Sequence, residues 1–432
     1  MALAEVVGSI LGNEIPLRIA AYDGSATGPP EAAATLVIRS PDALARIISR
    51  PGELGLSRAY VAGDLDIDGD IYSVLKLDIS ISNLRLGPTA MARLLRAAGR
   101  SALRWLPPPE EEARLHGGIH SRRRDRESIN HHYDVSNAFY EAVLGPSMTY
   151  SCAVFETPDD DLAEAQTNKY ELVSQKLGLR SGMRLLDVGC GWGGMAIHAA
   201  TEHGARVLGI TLSSEQYDWA TKRVAELGLG DRIEIRIQDY RDLTDGPFDA
   251  ISSIGMFEHV GRARMVEYFH RLFSLLQPGG RLLNHAIGRP GDEVVPTTRG
   301  RAESTARRMA VAAGLRGPSR IVSPFMDRYV FPDAELHEVG TVVSMMQNTG
   351  FEIRHVETLR EHYALTLRRW VENLEVNWDV AVREVGSARA RVWRLYMAAS
   401  AVNFERHGLE VHQALAVRPD KGRSNMPLRL RF

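Results

Sequence analysis

Between residues 183 and 288 one pattern repeats along the chain: a short apolar run, a break, then a longer segment with apolar positions every three to four residues. The short runs are "MRLLDVGC", "ARVLGIT", "RIEIRIQD", "FDAISSIGM" and "GRLLNHAIG"; the amphipathic segments are "GGMAIHAATEH", "SSEQYDWATKRVAEL" and "RMVEYFHRLFSLL". Short strands separated by amphipathic helices require crossover connections, so this part predicts a parallel sheet with helices on both faces, an α/β fold. Two later runs, "FEIRHVETL" and "LEVHQALAV", stand on either side of a long helical stretch. Such a late pair predicts an antiparallel addition to one edge, for seven strands in all. Before residue 107 the texture differs, with strand-like runs such as "ATLVIRS" mixed among helical ones, and "PPPEEEARLHGG" then reads as a Pro-rich, acidic linker. The expected division is an N-terminal mixed α/β unit over residues 1–106, a linker over 107–127 and a catalytic domain over 128–432.

Composition narrows the function classes. At 432 residues and 44 % hydrophobic, the chain can bury a large core. A net charge of -2 argues against coating of nucleic acid through overall charge, leaving only local basic patches, and no nucleic-acid partner is expected. The two cysteines, Cys152 and Cys190, cannot build a disulfide framework and fit a reducing compartment. With no long apolar run and no signal-peptide pattern at its start, the chain reads as cytoplasmic. No metal is expected: "HEVG" at 337 lacks the second histidine of a zinc motif, and no Cys-x-x-Cys cluster occurs.

The stretch "RLLDVGCGWGGMAIHAA" (184–200) places Gly189, Gly191, Gly193 and Gly194 within six residues, directly after a strand and before a helix. Glycines there let backbone approach a ligand, and the helix start offers unpaired N–H groups. The spacing is not G-x-G-x-x-G and no GKS or GKT follows, which argues against a dinucleotide fold and a P-loop. A tight strand-to-helix turn without a ligand is the bland alternative.

The glycine stretch resembles the cofactor motif of S-adenosylmethionine-dependent methyltransferases of the Rossmann-like class I. "HHYDVSNAFY", "MTYSCAVFE", "IGMFEHVG", "NHAIG" and "YVFPDAEL" then stand in the order of the cyclopropane fatty acid synthase family. In its length and arginine-skewed composition the chain resembles the longer actinobacterial members, which include 10-methylene (tuberculostearic acid pathway) synthases. The resemblance implies S-adenosylmethionine bound by Tyr150, Ser151, Asp187, Gly189, Gly191, Thr211, Gln216, Gln238 and Asp239. Asp239 has a second reading, as the cap of the next turn. The resemblance also implies a bound bicarbonate, held by Cys152, Glu258, His285, Ile287 and Tyr363, that deprotonates a carbocation formed when an acyl-chain double bond is methylated. Taken singly, Cys152, His285 and Tyr363 are ordinary core residues; Glu258, at an apolar strand end, needs a partner.

Reaching an acyl chain requires contact with lipid. Residues 91–106, "MARLLRAAGRSALRWL", contain no acid, and on a helix Arg93, Arg96, Arg100 and Arg104 share a sector of about 80°. With Trp105 on the apolar side, this is the pattern of an interfacial helix at the inner face of the membrane; an amphipathic helix docked on its own domain has the same pattern. "HSRRRDR" (120–126) adds a basic cluster. The insertion at 289–325 has no assigned role. The expected reaction is methyl transfer to the double bond of an oleoyl-type phospholipid, giving a 10-methylene branch or a cyclopropane. A flavin-dependent reductase is the partner expected after a methylene product, and a homodimer is compatible with the sequence. Two other readings stay open: a small-molecule C- or O-methyltransferase, and a catalytically silent lipid-binding subunit.

Overall fold

The computed structural model describes residues 2–12, 15–77, 88–99, 103–113, 136–291, 323–332 and 334–432. The N-terminal part holds α1 (Leu3–Leu11), β1 (Arg18–Ala21), β2 (Ala26–Thr27), β3 (Ala34–Ile38), α2 (Pro41–Ser49), α3 (Glu53–Val61), β4 (Leu65–Gly69), α4 (Ile71–Leu75) and α5 (Pro88–Ala98). Its four strands lie in the order β2-β1-β3-β4, with β1 and β3 parallel and the outer pairs antiparallel.

The helix expected over residues 91–106 is shorter than the pattern suggested. Gly99 takes a φ of 69°, a left-handed conformation that ends α5, and residues 104–109 are not helical. Leu94 is buried in the N-terminal core while Arg93 and Arg96 face solvent. Arg104 is therefore not on that helix; Arg100, the basic cluster 120–126 and residues 292–322 of the insertion lie outside the described residues. Residues 107–113, read as linker, include the buried Glu112. Its carboxylate accepts from Arg58 at 2.8 Å and from Arg328 at 2.7 Å.

The larger part holds α6 (Asn137–Leu144), α7 (Leu162–Leu177), β5 (Arg184–Val188), α8 (Gly194–Glu202), β6 (Arg206–Thr211), α9 (Ser214–Glu226), β7 (Ile233–Ile237), β8 (Phe248–Ile254), α10 (Met265–Leu275), β9 (Leu276–Gly288), α11 (Pro324–Tyr329), α12 (Val339–Asn348), β10 (Glu352–Thr358), α13 (Arg360–Val376), α14 (Trp378–Glu405) and β11 (Glu410–Val417). All seven predicted strands form, in the order β10-β11-β9-β8-β5-β6-β7. The five from β9 to β7 are parallel, and β11 runs antiparallel between β9 and β10, which is the expected edge addition. Local chemistry sets the ends of helices: Asp161 caps α7 through the Ala163 N–H at 2.7 Å, and Gly178 closes it in the left-handed region. Outside the glycine loop, Glu171 of α7 accepts from His198 of α8 at 3.2 Å and from His203 at 2.9 Å, which fixes α8 against α7.

Beside its own core around Leu3, Ile19, Leu44 and Leu94, the N-terminal part shares a second one with the larger part. Tyr60, Val61 and Ile67 from α3 and β4 pack in one cluster with Phe139, Trp393 and Tyr396 from α6 and α14. At this junction Asp66 accepts from Arg391 at 2.8 Å and from Arg39 at 2.7 Å. Burial alone would push its carboxyl up, yet the guanidinium hydrogen bonds hold it at about 2. Asp66→Ala leaves Arg391 half-buried without its counter-charge, and is expected to cost about 3 kcal/mol of stability, read as a lower urea midpoint at unchanged slope.

Candidate active site

The parallel strands β5, β6 and β8 all end at one edge, where an open α/β sheet binds its ligand. There Gly191 takes a φ of 55° and a Cβ placed on it would meet nothing, so the loop leaves open space on that side. Gly194 is needed for a different reason: a Cβ there would lie 2.1 Å from the Tyr170 hydroxyl. The loop is thus pulled against α7, and a cleft of about 160 Å³ remains in front of it.

All nine residues expected to bind the cofactor line this cleft. Asp187 is fully buried. Its Oδ1 accepts from the Ser252 hydroxyl at 2.7 Å, its Oδ2 has no hydrogen-bond partner, and burial pushes the carboxyl up to about 6. Thr211, at the end of β6, donates to Gln216 Oε1 at 2.7 Å. Gln238 is held through its backbone N–H, which donates to the Thr211 carbonyl. Asp239 fills its second reading as well, accepting from the Arg241 N–H at 2.9 Å and pairing with the Arg241 guanidinium. A carboxylate with one buried oxygen unpartnered, beside an open glycine loop, suits a ligand that carries positive charge and hydrogen-bond donors; S-adenosylmethionine has both.

A second cavity of about 430 Å³ adjoins the first, sharing Tyr150, Ser151, Gly255 and His259 with it. Cys152, Glu258, His285, Ile287 and Tyr363 all line it, brought from the loop after α6, the turn after β8, β9 and α13. Glu258 Oε1 accepts from the Ile287 backbone N–H at 2.6 Å, so that N–H is already engaged. Glu258 Oε2 has no partner, and burial pushes this carboxyl up to about 7. His285 meets Gln413 at Nδ1, 3.2 Å away, and its Nε2 has no partner. Burial pulls the imidazole down to about 3, so it is neutral at any physiological pH. The Cys152 thiol, within 3.2 Å of the Ala153 carbonyl, is raised by burial and keeps its proton. Tyr363 stacks on Phe404 with ring centroids 4.7 Å apart. The rest of the wall is largely apolar, with Phe325, Met326, Phe331, Leu367 and Leu409.

The sequence reading missed Lys169. It is fully buried on α7, donates to the Ser151 hydroxyl at 3.1 Å, and is lowered by burial to about 7. The signal was available: the stripe Gln166, Lys169, Val173, Lys176 is helical in spacing, and two of only five lysines in the chain fall on that buried face.

The sequence profile of mycolic acid cyclopropane synthetases matches residues 120–414. The chain belongs to that family. Members similar over nearly the whole chain include the probable fatty acid methyltransferase Rv3720 of Mycobacterium tuberculosis, 46% identical over 96% of this chain and 94% of that protein. The tuberculostearic acid methyltransferase UfaA1 of Mycobacterium tuberculosis is 34% identical over 94% of this chain and 88% of its own. Among solved structures, the cyclopropane synthase MmaA2 from Mycobacterium tuberculosis superposes with a TM-score of 0.59 at 31% identity, covering 68% of this chain and 98% of that one. The mycolic acid cyclopropane synthase CmaA1, solved with SAH and CTAB, gives the same TM-score, identity and coverage. This member of the cyclopropane synthetase family is therefore an S-adenosylmethionine-dependent methyltransferase of class I fold. No helix among the described residues is long and apolar enough to cross a membrane.

Proposed function

We propose that the enzyme transfers a methyl group from S-adenosylmethionine to the cis double bond of an oleoyl-type acyl chain of a phospholipid, leaving a 10-methylene branch or a cyclopropane. One observation carries this reading: the cofactor cleft shares a wall with a larger, mostly apolar cavity in which two buried polar atoms, Glu258 Oε2 and His285 Nε2, have no partner. Buried polar atoms without partners are costly, so a ligand is the natural complement. When bound, the sulfonium cofactor supplies an electrophilic methyl group and bicarbonate supplies a base.

Cys152, Glu258, His285 and Tyr363 suit such a small anion. Burial favours the protonated form of Glu258, whose Oε2 then donates a hydrogen bond instead of repelling the anion. His285, neutral, has one N–H to give. The apolar wall takes the acyl chain and excludes water, and the aromatic faces of Phe331, Tyr363 and Phe404 favour positive charge developing on the substrate. The names of the relatives that span the whole chain favour a fatty acyl substrate over a polar small molecule.

Lipid contact at the inner membrane face belongs to the same proposal. Leu103 and Trp105 are 66% and 77% exposed, close in sequence to the solvent-facing Arg93, Arg96 and Arg104. An apolar tip with basic neighbours fits an anionic lipid surface. If the product is a methylene branch, a flavin-dependent reductase would act on it next.

The test is mass spectrometry of acyl chains after incubation of the protein with methyl-labelled S-adenosylmethionine and oleoyl phospholipid vesicles. A gain of one labelled CH₂ unit is expected, and fragmentation locates it as branch or ring. Turnover of a soluble acceptor with none on vesicles would favour the small-molecule reading; cofactor binding without any turnover would favour the silent subunit.

A further inference from the structure

His285 stands in a row of three side chains set by strand register. It lies opposite Gln413 of β11, and Gln413 lies opposite Glu357 of β10. Side chains at facing positions of antiparallel strands share a face of the sheet, so all three point to the same side. Helix α7 lies over that row and lowers Lys176 onto it. The Lys176 ammonium donates to Gln413 Oε1 at 2.6 Å and to the Glu357 carboxylate. Gln413 and the Lys176 side chain are fully buried, and the file reaches solvent only at Glu357, which is 38% exposed.

The order of partners leaves one solution for the protons. An ammonium has donors only, so the Gln413 amide must turn its oxygen to Lys176 and its NH₂ to His285. A donor facing Nδ1 requires that nitrogen to be the bare, accepting one, and the single proton of the neutral ring then sits on Nε2. Nε2 is the buried atom without a partner in the residue that lines the acyl cavity. We propose that Glu357, Lys176 and Gln413 form a positioning file that holds His285 in its Nε2–H tautomer, so that the ring presents a donor to an anion in the acyl cavity. The opposite tautomer would aim a lone pair at that anion. The role of the anion rests on the function proposed above, whereas the tautomer itself does not. The file also accounts for an otherwise costly choice, a lysine and an amide buried in a strand and helix face that apolar residues would fill.

The experiment is a long-range ¹H–¹⁵N spectrum of the full chain labelled with ¹⁵N-histidine, with His285 assigned by its loss in His285→Asn. The wild-type protein should show the Nε2–H pattern. Gln413→Glu keeps the size and the Lys176 partner but replaces a donor by an acceptor, so it should invert the pattern to Nδ1–H. It should also lower kcat at least tenfold with less than a twofold change in cofactor KM. Lys176→Met frees the amide to turn and should mix the two patterns, while Lys176→Arg should restore one. An Nδ1–H pattern in the wild-type protein overturns the proposal, as does an unchanged pattern in Gln413→Glu or an inverted one with full turnover. If Gln413→Glu does not fold, the wild-type spectrum decides. An Nε2–H pattern in a protein that never methylates acyl chains would leave the file standing and remove the proposed function.

Discussion

Glu258→Gln is expected to lower methyl transfer at least ~100-fold while leaving the cofactor dissociation constant within about twofold. The magnitude follows from the removal of a group that hydrogen-bonds and orients the base at the reaction centre, typically worth ~10²–10⁴. Cofactor affinity is spared because Glu258 lines the acyl cavity and not the glycine-loop cleft. The substituted amide can still accept from the Ile287 N–H, so the local backbone keeps its partner. The same variant has a second readout. Burial raises the Glu258 carboxyl from its ordinary value to about 7, so the folded cofactor-free protein holds this proton where the unfolded chain has lost it. The associated stability is therefore full below about pH 4.5 and declines as pH rises through 7, by about 3 kcal/mol in total. Gln cannot titrate. Thermal melts from pH 4.5 to 8 should show that slope in the wild-type protein and lose it in the variant, which should be the more stable of the two at pH 8. Wild-type turnover in Glu258→Gln would remove the proposed site.

Asp187→Asn is expected to act on the other cavity. The carboxylate is fully buried, bonded by Ser252 at one oxygen and unpartnered at the other, and it faces the cleft in front of the glycine loop. The Ser252 hydroxyl and the charge of Lys169 draw the carboxyl down, but burial outweighs them and pushes it up to about 6, so in the cofactor-free cleft the charge is a liability. The amide should raise the cofactor dissociation constant at least tenfold, measured by calorimetric titration at pH 7.5. The cofactor-free variant should at the same pH be more stable than the wild-type protein. For the native carboxyl, raised above its ordinary value, stability is full below about pH 4 and is lost as pH rises through 6. Cofactor affinity in the wild-type protein should strengthen over that same window as the carboxylate forms. The two variants thus separate the cavities: one loses chemistry and keeps the cofactor, the other loses the cofactor.

Much of this arrangement was legible from the chain. The period of the apolar runs placed all seven strands, because a strand buried between helices must be apolar throughout and its crossover must be amphipathic. The candidate residues came from motif order; those on the loops after β5, β6, β7 and β8 meet because parallel strands end at one edge, and the loop after α6 and helix α13 bring Tyr150, Ser151, Cys152 and Tyr363 to the same edge. Other features were not legible, for identifiable reasons. Gly99 ended α5 early although an alanine- and arginine-rich stretch kept the helical period beyond it. The helical spacing of Lys169 and Lys176 could be seen in the chain, but the link from Lys176 through Gln413 to His285 could not, because it depends on which strand lies beside β11 and which helix covers it. The burial of Glu112 under two arginines was hidden by the proline and acid content that reads as linker.

The core shared by α3, β4, α6 and α14 bears on how the protein loses its structure. MmaA2 and CmaA1 are matched almost end to end by 68% of this chain, so proteins of that length stand without a counterpart to the remainder. Here Trp393 and Tyr396 pack in one cluster with Tyr60 and Ile67, with Asp66 paired to Arg391 at the seam. The N-terminal part is thus a cover that melts with what it covers: calorimetry should record one heat-absorption peak, and a chain shortened to the length of MmaA2 should bare an aromatic face and precipitate.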